Sequence, residues 1–209
     1  KFSISTGPLQ KIIQISLELW IRSKCKSIDK IHLKLNASTI ELFSGRLSGV
    51  NLIASNVNFK GLQLKQVELR SGPLQLNINL SKKGKKIDLY KAFEVEGYVS
   101  ITDKGFNEII ITNEWKWLGK LLAKNLLQAE ELDSIHIYKG IMKFIGFQTI
   151  NKKKVVNTFN IGIKTEKLIF INNETGAIFM LPMDQSIKIK SATLEEGIMI
   201  IRGYSKVLP

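Results

Sequence analysis

From Lys30 onward the apolar residues fall on every second position, and this period of two is what most limits the fold. Ile31, Leu33, Leu35 and Ala37 alternate with His32, Lys34, Asn36 and Ser38. Val50, Leu52 and Ala54 resume the pattern after a break at Gly45 and Gly49, and Leu74, Leu76, Ile78 and Leu80 repeat it beyond Gly72-Pro73. Phe93, Val95, Gly97, Val99 and Ile101 give a further strand. Successive side chains of a strand point to opposite faces, so each run specifies an antiparallel strand with one face toward a core and one toward water. At Lys65–Gln66 the phase slips by one residue between Leu62/Leu64 and Val67/Leu69. Because a simple register shift would turn the apolar set outward, a β-bulge is expected there.

Two segments depart to a period near 3.6. In residues 8–25, Leu9, Ile12, Ile13, Leu17, Trp20 and Ile21 make an apolar stripe, with Thr6 as expected N-cap and Pro8 in the first turn. After a short helix capped by Thr102 or Asp103, with Phe106, Ile109 and Ile110 inward, a longer one is expected over Asn113–Gln128. It carries Trp117, Leu118, Leu121 and Leu122, with Lys116, Lys120 and Lys124 at i, i+4 and i+8 on one face. Two readings stand for this helix: a docking helix that completes the core of the sheet, or a basic amphipathic helix lying in a membrane interface. Trp20 and Trp115 or Trp117 are the aromatics suited to headgroup level. Strands then resume over 134–147, 158–171, 177–181, 186–192 and 198–204.

The expected architecture is α+β: a long curved antiparallel sheet wrapping, or covered by, two to three helices. No low-complexity linker divides the 209 residues, so one domain is expected, with a helix in 1–27, strands in 30–101, helices in 103–128 and strands in 134–204. The longest apolar stretches fall short of the ~20 residues that a spanning helix needs. No export signal is visible, so a peripheral, cytoplasmic-side location is expected.

Charge is unevenly placed. Residues 1–92 hold 16 Lys/Arg against 5 Asp/Glu, a net of +11, and residues 93–209 a net of +2. Such a field suits an anionic partner facing the first half. Lys82, Lys83, Lys85 and Lys86 mark a basic hairpin tip, and Lys152 to Lys154 a second. Either tip is a solvated loop or an anion contact. Only four of the basic residues are Arg (Arg22, Arg46, Arg70 and Arg202), and the aromatics keep to the apolar phase. Both facts disfavour nucleic acid, which needs Arg forks for base edges and aromatics interleaved with cations for stacking.

The search for chemistry yields no catalytic constellation. His32 and His136 stand on polar strand phases with no ligand-spaced partner, the lone Cys25 forms no cluster, and no nucleophile, zinc or phosphate-loop motif occurs. Neither a metal nor a cofactor is called for.

Specific segments resemble a known family. Leu19-Trp20-Ile21-Arg22-Ser23, the run Phe43–Val50, Phe59-Lys60-Gly61-Leu62, the run Val67–Pro73, the run Gly97–Thr102 and Gly105-Phe106-Asn107 are similar to the LmeA-like phospholipid-binding family, in particular its cyanobacterial branch. The matched motifs lie between Leu17 and about Leu127. The resemblance implies a fold similar to tubular lipid-binding domains, in which a curved sheet wraps a helix and leaves an apolar groove for acyl chains, with no catalysis. On this reading Leu9, Ile12, Ile13, Leu17, Trp20, Trp117, Leu118, Leu121 and Leu122 would meet acyl chains. Lys82, Lys83, Lys85, Lys86, Lys116, Lys120 and Lys124 would meet phospholipid headgroups or an anionic membrane surface. The alternatives are a non-specific nucleic-acid or polyanion binder, and a structural protein-interaction scaffold.

Overall fold

The structure is a computed structural model, and it describes residues 7–79, 86–148 and 153–208. Helix α1 (Pro8–Lys24) begins with Pro at its first turn, where the missing N–H is no loss, and its N-cap is Gly7 without a side-chain cap; Thr6 lies outside the described residues. Strand β1 (Ser27–Asn36) follows, then a five-residue helix α2 (Thr39–Phe43) and the short β2 (Arg46–Leu47). Five strands, β3 (Gly49–Phe59), β4 (Leu62–Ser71), β5 (Leu74–Asn79), β6 (Lys86–Leu89) and β7 (Phe93–Thr102), lead to α3 (Asp103–Ile111). Thr102 caps α3 by accepting from the N–H of Gly105 at 2.9 Å. Helix α4 (Lys116–Leu122) runs into a π-helical turn, Ala123–Leu127. The rest is strand: β8 (Glu131–Tyr138), β9 (Ile141–Gln148), β10 (Lys153–Lys164), β11 (Lys167–Asn172), β12 (Ile178–Met180), β13 (Ile187–Glu195) and β14 (Ile198–Val207).

The fold is α+β and dominated by antiparallel strands, which divide among three sheets. Six strands run in the order β1-β3-β4-β7-β14-β13, five in the order β12-β11-β10-β9-β8, and three in the order β2-β5-β6. Two cores result. One gathers α1, α2, β2, β5 and the β1-β3-β4 side of the six-stranded sheet around Ile13, Leu17, Leu33, Leu35, Leu42, Leu52 and Leu76. The other packs α3, α4, the π turn and the five-stranded sheet against β7, β13 and β14, centred on Phe144 and Ile135. Phe144 meets Phe159 and Phe170 edge to face, with ring centroids 5.4 and 5.7 Å apart, the arrangement that ring quadrupoles favour. Leu64 of β4 packs against both cores.

The phase slip read at Lys65–Gln66 is real, but no bulge causes it. The β3–β4 register is constant from Asn51↔Arg70 to Phe59↔Leu62. Instead, three strands change phase together at the level of Asp29, Asn56 and Lys65. On either side of that level, Ile28, Val57 and Leu64 are paired neighbours, and so are Ile31, Ala54 and Val67, and all six face the first core. Asn56 makes the turn with a left-handed backbone (φ 49°), and its side-chain N–H donates to Asp29 Oδ2 at 2.8 Å. Asn tolerates that region better than a branched residue would.

Bulges do occur elsewhere. One lies between Ile189 and Ser191 opposite Gly203, the other between Leu132 and Ser134 opposite Gly146. A Cβ on Gly203 would stand 2.4 Å from the Lys188 carbonyl oxygen, and one on Gly146 2.5 Å from that of Glu131. The bulged strand's close approach therefore requires glycine on its neighbour. Both readings of β8–β9 and β10–β11 as single long stretches resolve into hairpins. The second turns at Thr165-Glu166, both at positive φ as a two-residue hairpin turn demands. Glu166 then ties the sheets together: its carbonyl accepts from the Ile189 N–H at 2.8 Å, and its carboxylate accepts from Tyr204 Oη at 2.6 Å and Lys188 Nζ at 3.1 Å.

Replacing Asn56 by Val should cost on the order of 1–3 kcal/mol, the range for a left-handed backbone position, whereas Asn56→Gly should cost less. Urea unfolding midpoints of the two variants check this, and equal midpoints would remove the crease as a conformational requirement.

Candidate lipid-binding site

Helix α2 is short, and its ends explain why it forms at all. Ser38 Oγ accepts from the Glu41 N–H at 3.3 Å, while Glu41 Oε2 accepts from the Ser38 N–H at 2.7 Å, a reciprocal capping box. Ser48 Oγ adds a bond to Glu41 Oε1 at 2.8 Å. The Ser38 backbone N–H, then the Ser48 and Ser38 hydroxyls, hold the Glu41 carboxyl below its ordinary pKa. At the other end Gly45 takes φ 67°, and a Cβ there would lie 2.3 Å from the Leu76 carbonyl oxygen. The Gly45 carbonyl accepts from the Leu76 N–H at 2.7 Å, which fastens the helix end to β5.

This placement turns Leu42 into the first core and leaves Ile40 and Phe43 83% and 78% exposed. Between α1, α2 and β5 lies a cleft of about 330 Å³, walled by Leu9, Ile13, Leu42, Phe43 and Leu76, with Ser44, Gly45 and Asn77 as its remaining lining. Its size is at the lower end of small-molecule pockets, and its walls are mainly apolar. Along α1, Ile12, Ile15 and Leu19 form a second stripe, facing out and each at least two-fifths exposed. At about 100° per residue, this stripe sits roughly 150° around the helix from the buried pair Ile13 and Leu17, so α1 has apolar side chains on two nearly opposite faces.

In the second helical region Leu122, Leu126 and Leu127 are buried in one core with Ile135, Phe144 and Phe159. The one sequence-derived helix over Asn113–Gln128 starts later, at Lys116, and its last turn is π-helical before Gln128 adopts φ 51°. The carbonyls freed there are met by side chains: Asn157 Nδ2 donates to Leu126 O at 2.9 Å, and Gln148 Nε2 to Gln128 O at 3.4 Å. A cleft of about 520 Å³ opens beside this turn, lined by Leu126, Leu127, Phe159 and Phe179 together with Asn125, Lys154, Asn157, Glu174 and Thr175. Polar groups dominate it, and its amides are engaged with the helix carbonyls.

Against this geometry, the sequence profile of the LmeA-like phospholipid-binding family matches residues 6–201 of the 209. The chain belongs to the LmeA-like phospholipid-binding family. Among curated proteins and among solved structures, nothing matches it. The family's ligand class is phospholipid, and of the two clefts the one between α1, α2 and β5 has the apolar walls that an LmeA-like protein would offer an acyl chain.

The residues singled out from sequence fall into distinct places in this LmeA-like fold. Leu9 and Ile13 line the apolar cleft, Ile12 is exposed beside it, and Leu17 is buried below it. Trp20 is half-buried, with Lys24 Nζ 5.6 Å from its ring centroid. Leu122 is core, Leu118 and Leu121 are half-buried, and Trp117 is 51% exposed. Lys116, Lys120 and Lys124 are all exposed. Lys86 opens β6 opposite Asn79; Lys82, Lys83 and Lys85 lie outside the described residues, as does Lys152. Among the described residues, no group of three or more His, Cys, Asp or Glu comes together. Sequence reasoning missed Ile40, Leu42 and Phe43, although Ser38-x-x-Glu41 is a readable capping box. It also missed the outward Ile15 and Leu19, which one further turn of the helical wheel places beside Ile12.

Because folding lowers the Glu41 pKa, its contribution to stability is present above the ordinary glutamate range near 4.3 and is lost as pH falls through the lowered folded value. Glu41→Gln should therefore lower the urea midpoint at pH 7, and the gap to wild type should narrow as both are acidified through and below the ordinary glutamate range. A gap that persists or widens in acid would contradict this.

Proposed function

We propose that the chain is a non-enzymatic peripheral membrane protein, acting as one lipid-binding unit, that takes a phospholipid acyl chain into the cleft between α1, α2 and β5. The observation that carries this reading is a cleft with mainly apolar walls and the exposed Phe43 at its edge, in the half of the chain with a net charge of +11. Exposed Ile, Leu and Phe side chains are costly in water, and each gains about 1.5–3 kcal/mol when fully removed from it. Phe43 on the cleft wall and Ile40, also of α2, are exposed, and Ile12, Ile15 and Leu19 stand exposed on the outward face of α1. Isolated surface hydrophobes need no explanation, but five on two adjoining helices are more than scatter.

Exposed Lys11, Lys34 and Arg46 stand in the same half, and each cation near an anionic lipid surface is worth about 1 kcal/mol. Of the five carboxylates in that half, Glu18 is paired with Arg22 at 3.3 Å, while Asp29 and Glu41 are hydrogen-bonded to uncharged groups and keep their charge. Against 16 Lys/Arg they leave a strong excess of cations for headgroup phosphates. No helix among the described residues is long and apolar enough to cross a membrane, and the reading needs none. The basic residues Lys82, Lys83, Lys85 and Lys86 follow β5 in sequence and belong to the same proposed headgroup contact.

Protein purified without detergent should carry phospholipid in native mass spectra, and it should bind anionic vesicles more weakly as salt is raised. Phe43→Glu, at an exposed rim position that does not support the core, should cut the lipid-bound fraction at least tenfold. A wild-type protein with no bound lipid and no salt-sensitive vesicle binding would overturn the reading.

A further inference from the structure

At the far end of α1 from the cleft, a second surface has a composition and build that the cleft does not explain. The β3–β4 hairpin tip, Phe59-Lys60-Gly61, abuts the segment between α3 and α4. Trp115 Nε1 donates to the Lys60 carbonyl at 2.8 Å, and the Gly61 N–H donates to Asn58 Oδ1 at 2.9 Å. Gly61 has φ 87°, and a Cβ on it would stand 3.2 Å from Trp115 Cδ1 and 3.3 Å from Thr112 Oγ1, so hairpin and indole are packed as closely as glycine allows. The Trp117 ring lies 6.0 Å from that of Trp115.

On this rigid base the exposed side chains are apolar or cationic. Ile111 is 75% exposed, Trp117 51% and Phe59 37%. Lys60, Lys116 and Lys120 are exposed around them, with Lys60 Nζ 5.5 Å from the Phe59 ring centroid. Glu114, the acidic residue of the α3–α4 segment, is ion-paired with Lys26, and that bond lowers its pKa, so it neutralises a cation outside the trio.

We propose that this surface is an anchor for the interface of an anionic phospholipid bilayer, separate from the acyl-chain cleft. Indole rings favour headgroup depth, aliphatic and phenyl side chains enter just below, and lysines reach the phosphates. A protein partner would need carboxylates to match three lysines; a bilayer supplies phosphate at every headgroup. Leu9, in the cleft, and Lys24, at the end of α1, are 15 residues apart on the helix, about 22 Å at 1.5 Å per residue. The anchor would thus hold the molecule on the membrane while the cleft, one helix length away, engages a single lipid.

The inference rests on the phospholipid reading, and paired variants separate the two. The full chain is tested on vesicles of phosphatidylglycerol and of phosphatidylcholine by co-sedimentation, with Trp emission read against brominated-chain lipid as quencher. Wild type should bind the anionic vesicles, with quenched and blue-shifted emission. The double variant I111E/K60E, at two exposed positions, should bind them at least tenfold more weakly and lose the quenching, while keeping its lipid-bound fraction in native mass spectra and its urea midpoint. Phe43→Glu should show the reverse. Vesicle binding unchanged in I111E/K60E, or a lipid-carrying wild type that ignores vesicles, would overturn the anchor and leave the cleft standing. A wild type that carries no lipid and binds no vesicle would remove both.

Discussion

At the level of Asp29, Asn56 and Lys65 three neighbouring strands change side-chain phase without losing register, and most of the molecule's layout depends on that row. A sheet with strict alternation has one inner face along its whole length. Here the inner set moves by one residue on β1, β3 and β4 together, so the register is the same on both sides of the row while the surface it presents is turned. Leu64, just past the row, reaches both hydrophobic cores. A β-bulge would have shifted one strand against the next. The shared crease, with Asn56 in the left-handed region and bonded to Asp29, interrupts the pairing at that row alone.

Glycine close to neighbouring backbone recurs at the points where elements must touch. Gly45 lets α2 lie against β5, Gly61 lets the β3–β4 tip lie against Trp115, and Gly146 and Gly203 face the two bulges. In each case the atom a Cβ would meet is a carbonyl oxygen or a packed ring. The first two of these positions shape surfaces and not only cores. One sets the rim of the apolar cleft, and the other sets the platform of aromatic and cationic side chains. Helix α1 runs between them, with Ile13 and Leu17 holding it to the sheet and Ile12, Ile15 and Leu19 left in solvent. The helix is thus apolar on two sides, with a formed core under one of them and solvent over the other.

The strands, their antiparallel class and the positions of α1, α3 and α4 could be read from the chain because they depend on local periodicity. Thr102 at the start of α3 and Pro8 at the start of α1 were legible for the same reason. Helix α2 was also local, signalled by Ser38 and Glu41, but five residues are too few for a periodic pattern to stand out. The residues of the candidate site were legible only in part. Leu9 and Ile13 were recognisable as one helix face, whereas Phe43 and Leu76 join them from elements that nothing in sequence spacing connects to α1.

By itself the sequence determined which residues alternate, which helices are amphipathic, that the first half is strongly basic, and, through its family motifs, that phospholipid is the ligand class. Those are properties of neighbours in the chain. Tertiary structure decided which apolar residues are core and which are surface: Leu17 and Leu122 are interior, while Ile12 and Trp117 from the same stripes face water. It also decided that the cleft beside the helix after α3 has a mixed lining of polar and apolar side chains, whereas the one at α1 is walled by Leu9, Ile13, Leu42, Phe43 and Leu76. Burial depends on what packs opposite: α1 lies on β1 and β6, and α4 on α3 and β8. A helical period shows which residues share a face, and only the folded packing fixes which face those elements cover.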